Sequence, residues 1–163
     1  MIVKKELPGS WKSLFHLTTG ENLGVGGRIP AVFLNPAKFF YTCYRINGDD
    51  DYCKNYNYEL NKDYHFEISQ HKSNGEAIYS IKVNGETFHE IVNTTPLKYK
   101  DVKLYLSDPW HETFAPFGKL SNLKIIADLN TISNYTYHTR AIIGRSCFEA
   151  ALIYKPRILG LKK

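Results

Sequence analysis

Two Asn-Gly pairs constrain the fold of this chain more than any other feature of its sequence. They are Asn74-Gly75 and Asn84-Gly85, and they divide residues 64–91 into three runs of alternating apolar and polar residues. A two-residue hairpin turn needs positive φ at both central positions, which Asn and Gly adopt at least cost. Alternation with a period of two indicates strands with one buried face. The stretch predicts a three-stranded antiparallel meander, which needs a second layer over its apolar face.

The remaining sequence supplies strands for that second layer. Turn signals rich in Gly, Pro and Asn separate its apolar runs. The predicted strands cover residues 10–19, 28–34, 39–46, 101–107 and 118–126. Trp11, either Leu14 or Phe15, and Leu17 supply the apolar side of the first. The sequence therefore predicts an all-β fold, a two-sheet antiparallel sandwich with interdigitated inner faces.

Length and charge predict one sandwich domain, residues 1–126, followed by a basic tail, residues 127–163. The chain has 163 residues, enough for one domain with a substantial core. Of its net charge of +5, the tail carries +4 and the body only +1. A nucleic-acid binder usually has a basic face on its folded part, so we expect no nucleic-acid partner. The tail contains the one helix candidate, residues 145–154, and a docking helix, an edge strand and a disordered segment stay open for it.

Two sequence signals for membrane targeting are missing. No run approaches the roughly 18–20 apolar residues of a transmembrane helix. The first residues, MIVKKE, lack the apolar segment of a signal peptide, which taken alone favours the cytoplasm.

Residues 47–58 are predicted as a loop with an unusual acidic run. Asp49, Asp50 and Asp51 are adjacent, and Asn47 lies close by. Ca²⁺ prefers six to eight oxygen ligands, so the three aspartates are candidate calcium ligands, although their spacing is not that of an EF-hand. A solvated acidic turn is the alternative. The loop and the adjacent Tyr52 form the predicted ligand-contact region.

Other residues with possible binding roles are more ambiguous. Trp110 follows a strand-ending Pro, where an aromatic side chain either stacks on a sugar ring or packs under the sandwich edge, and we favour packing. Predicted solvent-facing residues that could line a concave ligand surface or form an ordinary sheet face are Arg28, Tyr44, Arg45 and Tyr105. Asn93 and Asn134 each begin an N-glycosylation triplet, which would mark an exposed loop in a secreted protein.

The sequence offers no clear catalytic constellation, and we expect no enzyme. A retaining glycosidase places two carboxylates about 5–5.5 Å apart, but the same-face neighbours of Glu67 are His65 and Ser69. None of the six histidines has an evident orienting acid beside a Ser or Cys nucleophile. The Cys and His spacings lack the short pairs of a zinc site.

Segments spread along the chain resemble a known family. They are LTTG (17–20), GRIPAVF (27–33), NG (47–48), YC (52–53), FEISQ (66–70), YSIKVNGE (79–86), NTTP (93–96), VKLYLSDPW (102–110) and LSNL (120–123). This pattern resembles the laminin-G-like branch of the concanavalin A-like jelly-roll sandwiches. More narrowly, it is similar to an extracellular module repeated in secreted and cell-surface proteins of cnidarians and related invertebrates. The likeness covers residues 10–126, with the SDPW stretch and the NG hairpin as its most specific parts.

The resemblance carries its own expectations. It implies a jelly-roll topology, although the chain starts too late for a full first strand, which is expected either of a fragment or of a divergent copy with altered ends. It also implies a disulfide between Cys43 and Cys53, which leaves Cys147 as a buried thiol, and disulfides persist in oxidising compartments. The predicted function is non-catalytic extracellular binding of a glycan or of a matrix or cell-surface protein, with Ca²⁺ as a possible cofactor. A structural adhesion module is the first alternative, and a divergent polysaccharide-acting enzyme is the second.

Overall fold

The computed structural model describes residues 1–125 and 148–151, and every regular element in these ranges is a β-strand. The strands are β1 (Ile2–Val3), β2 (Lys12–Thr18), β3 (Ala31–Asn35), β4 (Phe39–Ile46), β5 (Asp49–Asn57), β6 (Phe66–Ser73), β7 (Glu76–Val83), β8 (Glu86–Val92), β9 (Lys103–Leu106), β10 (Glu112–Thr113), β11 (Gly118–Lys119) and β12 (Phe148–Ala151). The described part of the chain contains no helix long and apolar enough to cross a membrane.

Two antiparallel sheets pack face to face. The larger has seven strands in the order β12-β9-β2-β3-β4-β5, with the short β10 parallel to the start of β2. The smaller has the order β6-β7-β8, and β1 pairs separately with β11. One apolar cluster joins the two sheets, and its buried members on the strands of these two sheets are Leu14, Val32, Leu34, Phe40, Ile46, Tyr79, Ile81 and Val83. The predicted all-β sandwich is therefore confirmed, while its jelly-roll connectivity stays a prediction.

The Asn-Gly turns of the meander are confirmed. Asn74 and Gly75 have φ of 50° and 86°, and Asn84 and Gly85 have φ of 54° and 86°. The predicted loop at residues 47–58 is wrong. Asn47-Gly48 is a third turn of the same kind, and β5 returns from it along β4. The acidic run therefore opens a strand, because pairing with β4 overrides the low strand propensity of Asp.

A β-bulge in β2 decides which of its residues face the core. The register shifts between Ser13 and Phe15, so Leu14 and Phe15 both pack into the apolar cluster. Beyond the bulge, His16 pairs with Ala31 and faces away from that cluster. The extra residue of a bulge locally reverses the alternation of side chains. Leu14 and Phe15, which the sequence predicts as alternatives for the apolar side of this strand, therefore both face the core. His16 faces outward.

Two elements at the C-terminal side differ from the simplest interpretation of the sequence. Within residues 118–125 the predicted strand shrinks to β11, because only Gly118 and Lys119 reach a partner strand, β1. At residues 148–151 the chain forms β12, which pairs antiparallel with β9, so of the alternatives left open for the tail this stretch takes the edge strand and not the helix candidate. The free edge of β9 offers backbone hydrogen bonds that outweigh local helix propensity. Asn134 and Cys147 lie outside the described residues.

Candidate functional site

The candidate site lies on the outer face of the seven-stranded sheet, opposite the core. Alternation along each strand puts Ala31, Phe33 and Cys43 on this face, where all three are buried. Trp11 and Tyr41 pack against them with ring centroids 4.9 Å apart. This outer face is therefore largely apolar, and other segments of the chain cover it.

The expected disulfide between Cys43 and Cys53 is confirmed on this face. The two residues are directly paired across β4 and β5, with Cα atoms 4.1 Å apart. The Arg28 guanidinium lies beside the disulfide, with Nη1 3.4 Å from the sulfur of Cys43, and forms an ion pair with Asp51. The disulfide and the ion pair together tie the segment before β3 to the edge strand β5.

A buried cluster of two histidines and one aspartate lies next to this ion pair. The chain between β9 and β10 crosses the outer face and brings Asp108 to His16, with Nδ1 2.8 Å from Oδ2 and both side chains inaccessible to solvent. The other carboxylate oxygen accepts hydrogen bonds from the backbone N–H groups of Trp110 and His111 and from Nδ1 of His111. Two histidines thus share an orienting acid, which sequence reasoning missed because His16 and Asp108 are 92 residues apart.

The hydrogen bonds of this cluster fix its charges. Burial alone would raise the pKa of the Asp108 carboxyl, but hydrogen bonds from His111 and His16 outweigh burial and hold that pKa well below its ordinary value. The two ring nitrogens of His16 face the carboxylate of Asp108 and the carbonyl oxygen of Gly27. Since both are acceptors, only the imidazolium form of His16 makes both bonds. The cluster therefore contains a buried ion pair.

These elements enclose a pocket of about 190 Å³. Its lining consists of Trp11, Arg28, Phe33, Tyr41, Asp51 and His111. The His111 and Phe33 ring centroids are 4.5 Å apart, and the Arg28 guanidinium stacks over the Phe33 ring at 5.1 Å. The pocket thus combines aromatic walls with one cation, one carboxylate and one imidazole.

The polar groups of the pocket differ in how open they are to a ligand. The Arg28 side chain is only 9% exposed, whereas that of Asp51 is 51% exposed. The Nδ1 atom of His111 is held by Asp108, which leaves Nε2 as its ring nitrogen available to a ligand. A ligand therefore meets a half-exposed carboxylate and one imidazole nitrogen before it meets the guanidinium.

The three predicted calcium ligands do not converge in this structure. Asp50 pairs with Arg45 and Asp51 with Arg28, while the Asp49 carboxylate accepts the backbone N–H of Asp51. Each of the three carboxylates therefore has a separate partner within the protein. Among the described residues, the one group of three metal-ligating side chains within 4.8 Å is Asp51 with the two disulfide cysteines, whose sulfurs are already bonded to each other. The carboxylates of Asp49, Asp50 and Asp51 therefore form no preformed cage of ligands for Ca²⁺.

The other predicted contact residues lie outside the pocket. Asn47 accepts hydrogen bonds from the backbone N–H and the hydroxyl of Thr94, and thus fastens the β4–β5 turn to the chain after β8. The hydroxyl of Tyr52 lies 3.0 Å from Nε2 of His89, between the two sheets. Trp110 is 38% exposed, and its ring packs against His16 at 5.3 Å, so the choice between packing and sugar stacking stays a prediction. Of the predicted contact residues, Asp51 alone lines the pocket.

The four residues predicted to face solvent on the sheet do not share one surface. Arg28 lines the pocket, and Arg45 pairs with the acidic run. The ring of Tyr105 lies against Trp110, with centroids 5.9 Å apart. Tyr44 instead points into the core, where it stacks on Tyr79 at 5.0 Å and where burial raises its pKa to about 12. The predicted common surface is therefore wrong for Tyr44.

Asn93 opens an exposed loop, as its glycosylation triplet predicts, but its own side chain is buried. It is 2% exposed, and its amide nitrogen donates to the carbonyl of Arg45 and to Oε1 of Gln70. Its side-chain oxygen accepts the backbone N–H of Asn47. The folded chain thus uses Asn93 to connect the two sheets and does not present it as a glycan acceptor.

Comparisons with protein-family models, with curated proteins and with solved structures return no match. The structure by itself defines the class, an all-β antiparallel sandwich with a cross-strand disulfide beside an aromatic pocket. The resemblance to laminin-G-like modules stays a prediction.

Proposed function

We propose that this protein is a non-catalytic extracellular binding module that recognises a glycan through the pocket on its outer face. One observation carries the proposal, namely that aromatic walls and a few charged hydrogen-bonding groups converge in one concavity. Binding sites are typically concave and mostly apolar with a few oriented polar groups. A sugar ring has an apolar C–H face that suits Trp11 and Tyr41, and hydroxyl groups that suit Asp51 and His111.

The size of the pocket supports recognition of one ring. Its volume of about 190 Å³ is below the roughly 300–1,000 Å³ of sites that enclose drug-sized ligands. One sugar residue of a longer glycan fits this description, with the remainder of the glycan outside the pocket. Such a site gives modest affinity on its own, and repeated copies of a module gain affinity through multivalency.

The chemistry of the lining supports binding without turnover. Glycoside hydrolysis uses a pair of carboxyl groups that flank the scissile bond, and the lining contains one, Asp51. The carboxylate nearest to it in the cluster, Asp108, is fully buried and is engaged by His16 and His111. The cross-strand disulfide supports the extracellular part of the proposal, because disulfides persist in oxidising compartments.

A glycan array with oxidised protein tests the proposal. We expect saturable binding that Trp11→Ala weakens at least tenfold, about 1.4 kcal/mol. Phe88→Ala is the matched control, because Phe88 is an exposed aromatic residue, 40% accessible, on the smaller sheet. Each protein is assayed with Ca²⁺ and with EDTA. Binding that EDTA abolishes would support the calcium prediction for Asp49, Asp50 and Asp51.

Two outcomes would contradict the proposal. The first is the absence of glycan binding by folded, disulfide-bonded protein, which would favour a structural adhesion module. The second is equal weakening by Trp11→Ala and Phe88→Ala, which would place the ligand away from the pocket. Circular dichroism and thermal melts of each variant show whether lost binding reflects lost folding.

A further inference from the structure

We propose that the pocket selects a neutral sugar ring over a carboxylate-bearing one, and that Asp51 sets this selectivity. The inference rests on the proposed glycan-binding function and names the class of sugar that the site takes. The predicted selectivity depends on which charged groups of the lining are paired within the protein and which are exposed to a ligand.

The cation of the pocket is largely used within the protein. Arg28 directs Nη1 at Asp51 and Nε at the carbonyl oxygen of Asn22, and its side chain is 9% exposed. An arginine that recognises a carboxylate usually presents two free N–H groups in a bidentate arrangement. With Nη1 and Nε both engaged, the guanidinium does not present two free nitrogen donors to an incoming carboxylate.

The anion of the pocket is the more exposed partner. Half of the Asp51 side chain is open to solvent, and one carboxylate oxygen, Oδ1, takes the bond from Arg28. The second oxygen is left as an acceptor for ligand hydroxyl groups. A carboxylate on the ligand would meet this charge of the same sign at short range, where repulsion is not fully screened.

The histidines of the neighbouring cluster add no free positive charge at this position. The imidazolium of His16 is matched by the carboxylate of Asp108, and both are fully buried. His111 donates Nδ1–H to the same carboxylate, so its neutral form offers Nε2 as a second acceptor. The groups most open to a ligand therefore favour hydrogen-bond donors, and the hydroxyl groups of a neutral sugar supply them.

Isothermal titration with two matched oligosaccharides tests the inference. One is a neutral hexose oligomer that binds on the array, and the other is the hexuronate oligomer of the same linkage and length. We expect wild-type protein to bind the neutral oligomer at least tenfold more tightly. Asp51→Asn removes the carboxylate charge and frees Arg28, so we expect the neutral-to-acidic affinity ratio to fall at least tenfold. Asp51→Glu retains the charge and should retain the preference for the neutral oligomer.

Control variants separate this inference from the proposed function. Asp63→Asn removes an exposed carboxylate near the N-terminal amine, away from the pocket, and should leave the affinity ratio unchanged. Trp11→Ala should weaken both oligomers together. A wild-type preference for the hexuronate, or an unchanged ratio in Asp51→Asn, would overturn the selectivity inference while glycan binding stood. Absence of binding to both oligomers by folded wild-type protein would overturn the proposed function and this inference with it.

Discussion

Replacement of Asp108 with alanine tests whether the buried cluster holds the outer face together. Asp108 accepts bonds from His16, from the ring of His111 and from two backbone N–H groups, and its side chain has no solvent exposure. Asp108→Ala leaves the imidazolium of His16 buried without its counter-ion and the N–H groups without an acceptor. Removal of one partner from a buried ion pair costs about 3–5 kcal/mol. Domains have about 5–15 kcal/mol of stability in total, so this is a large fraction.

Urea and thermal denaturation measure the effect. In a domain of this size, each kcal/mol lowers Tm by about 2–4 °C, so we expect Asp108→Ala to lower Tm by about 6–20 °C. Asp108→Asn keeps one oxygen acceptor but loses the charge, and we expect a smaller loss. Asp63→Asn is the matched control, because this carboxylate is exposed, and its change should stay within about 0.5 kcal/mol.

The lowered pKa of Asp108 also predicts that the protein loses stability at acid pH. The pKa of Asp108 is lowered in the folded state, so folding favours the ionised carboxylate. The contribution is fully present above the pKa of about 3.9 expected for an unfolded Asp, and it is lost as pH falls from there towards the folded value. The difference in unfolding free energy between wild type and Asp108→Asn should therefore shrink below about pH 4. A loss under 1 kcal/mol in Asp108→Ala, or no change of this difference with pH, would refute the ion-pair assignment.

Three further predictions concern other parts of the sandwich. Asn93→Ala should lower the unfolding free energy by about 1–3 kcal/mol, because it removes bonds between the sheets, and mass spectrometry of protein from a glycosylating host should show Asn93 unmodified. Gly27→Ala should cost about 1–3 kcal/mol in urea unfolding, because a Cβ there would lie 2.6–2.8 Å from the backbone of Leu23; wild-type stability would refute the contact. Tyr44 has a pKa raised to about 12, so its contribution is present below about pH 10 and is lost as pH rises towards 12; Tyr44→Phe should show a shallower alkaline loss of stability in denaturant titrations.

Local sequence signals predicted the fold well where turn chemistry and alternation agreed. The meander follows from Asn74-Gly75 and Asn84-Gly85, and the same dipeptide at Asn47-Gly48 marks a third hairpin where the acidic run predicts a loop. Three consecutive aspartates argued against a strand, because Asp has low strand propensity. The structure satisfies Asp50 and Asp51 with arginines from outside the strand. The pair between Asp51 and Arg28 joins residues 23 positions apart, and pairing over that distance leaves no local trace in the sequence.

The register of the β4–β5 hairpin depends on both its turn and its disulfide. A regular two-residue turn at Asn47-Gly48 would pair Cys43 with residue 52. The observed Cys43–Cys53 pair requires one extra residue in β5, and the register shift between the pairs Ile46–Asp49 and Tyr44–Tyr52 supplies it. The turn signal and the disulfide together therefore imply the bulge, whereas either alone leaves the register open.

The pocket itself was less predictable, because loops and not strands complete it. Trp11 directly precedes β2, while Phe33 and Tyr41 lie on β3 and β4, where the sheet register pairs them. His111 reaches the pocket because Asp108 anchors the segment between β9 and β10. Sequence periodicity describes residues within one element. It does not report which connecting segment folds back over which face.

The two ion pairs on the outer face explain why this loop-built site is ordered. A buried ion pair contributes little net stability compared with apolar residues of similar volume, but the loss of one partner is costly. Each pair here fixes a connecting segment, with His16 holding the chain at Asp108 and Asp51 holding the chain at Arg28. Both segments supply pocket walls. Because the charges are matched before a ligand arrives, the walls are organised in advance, and ligand binding needs less ordering of the site.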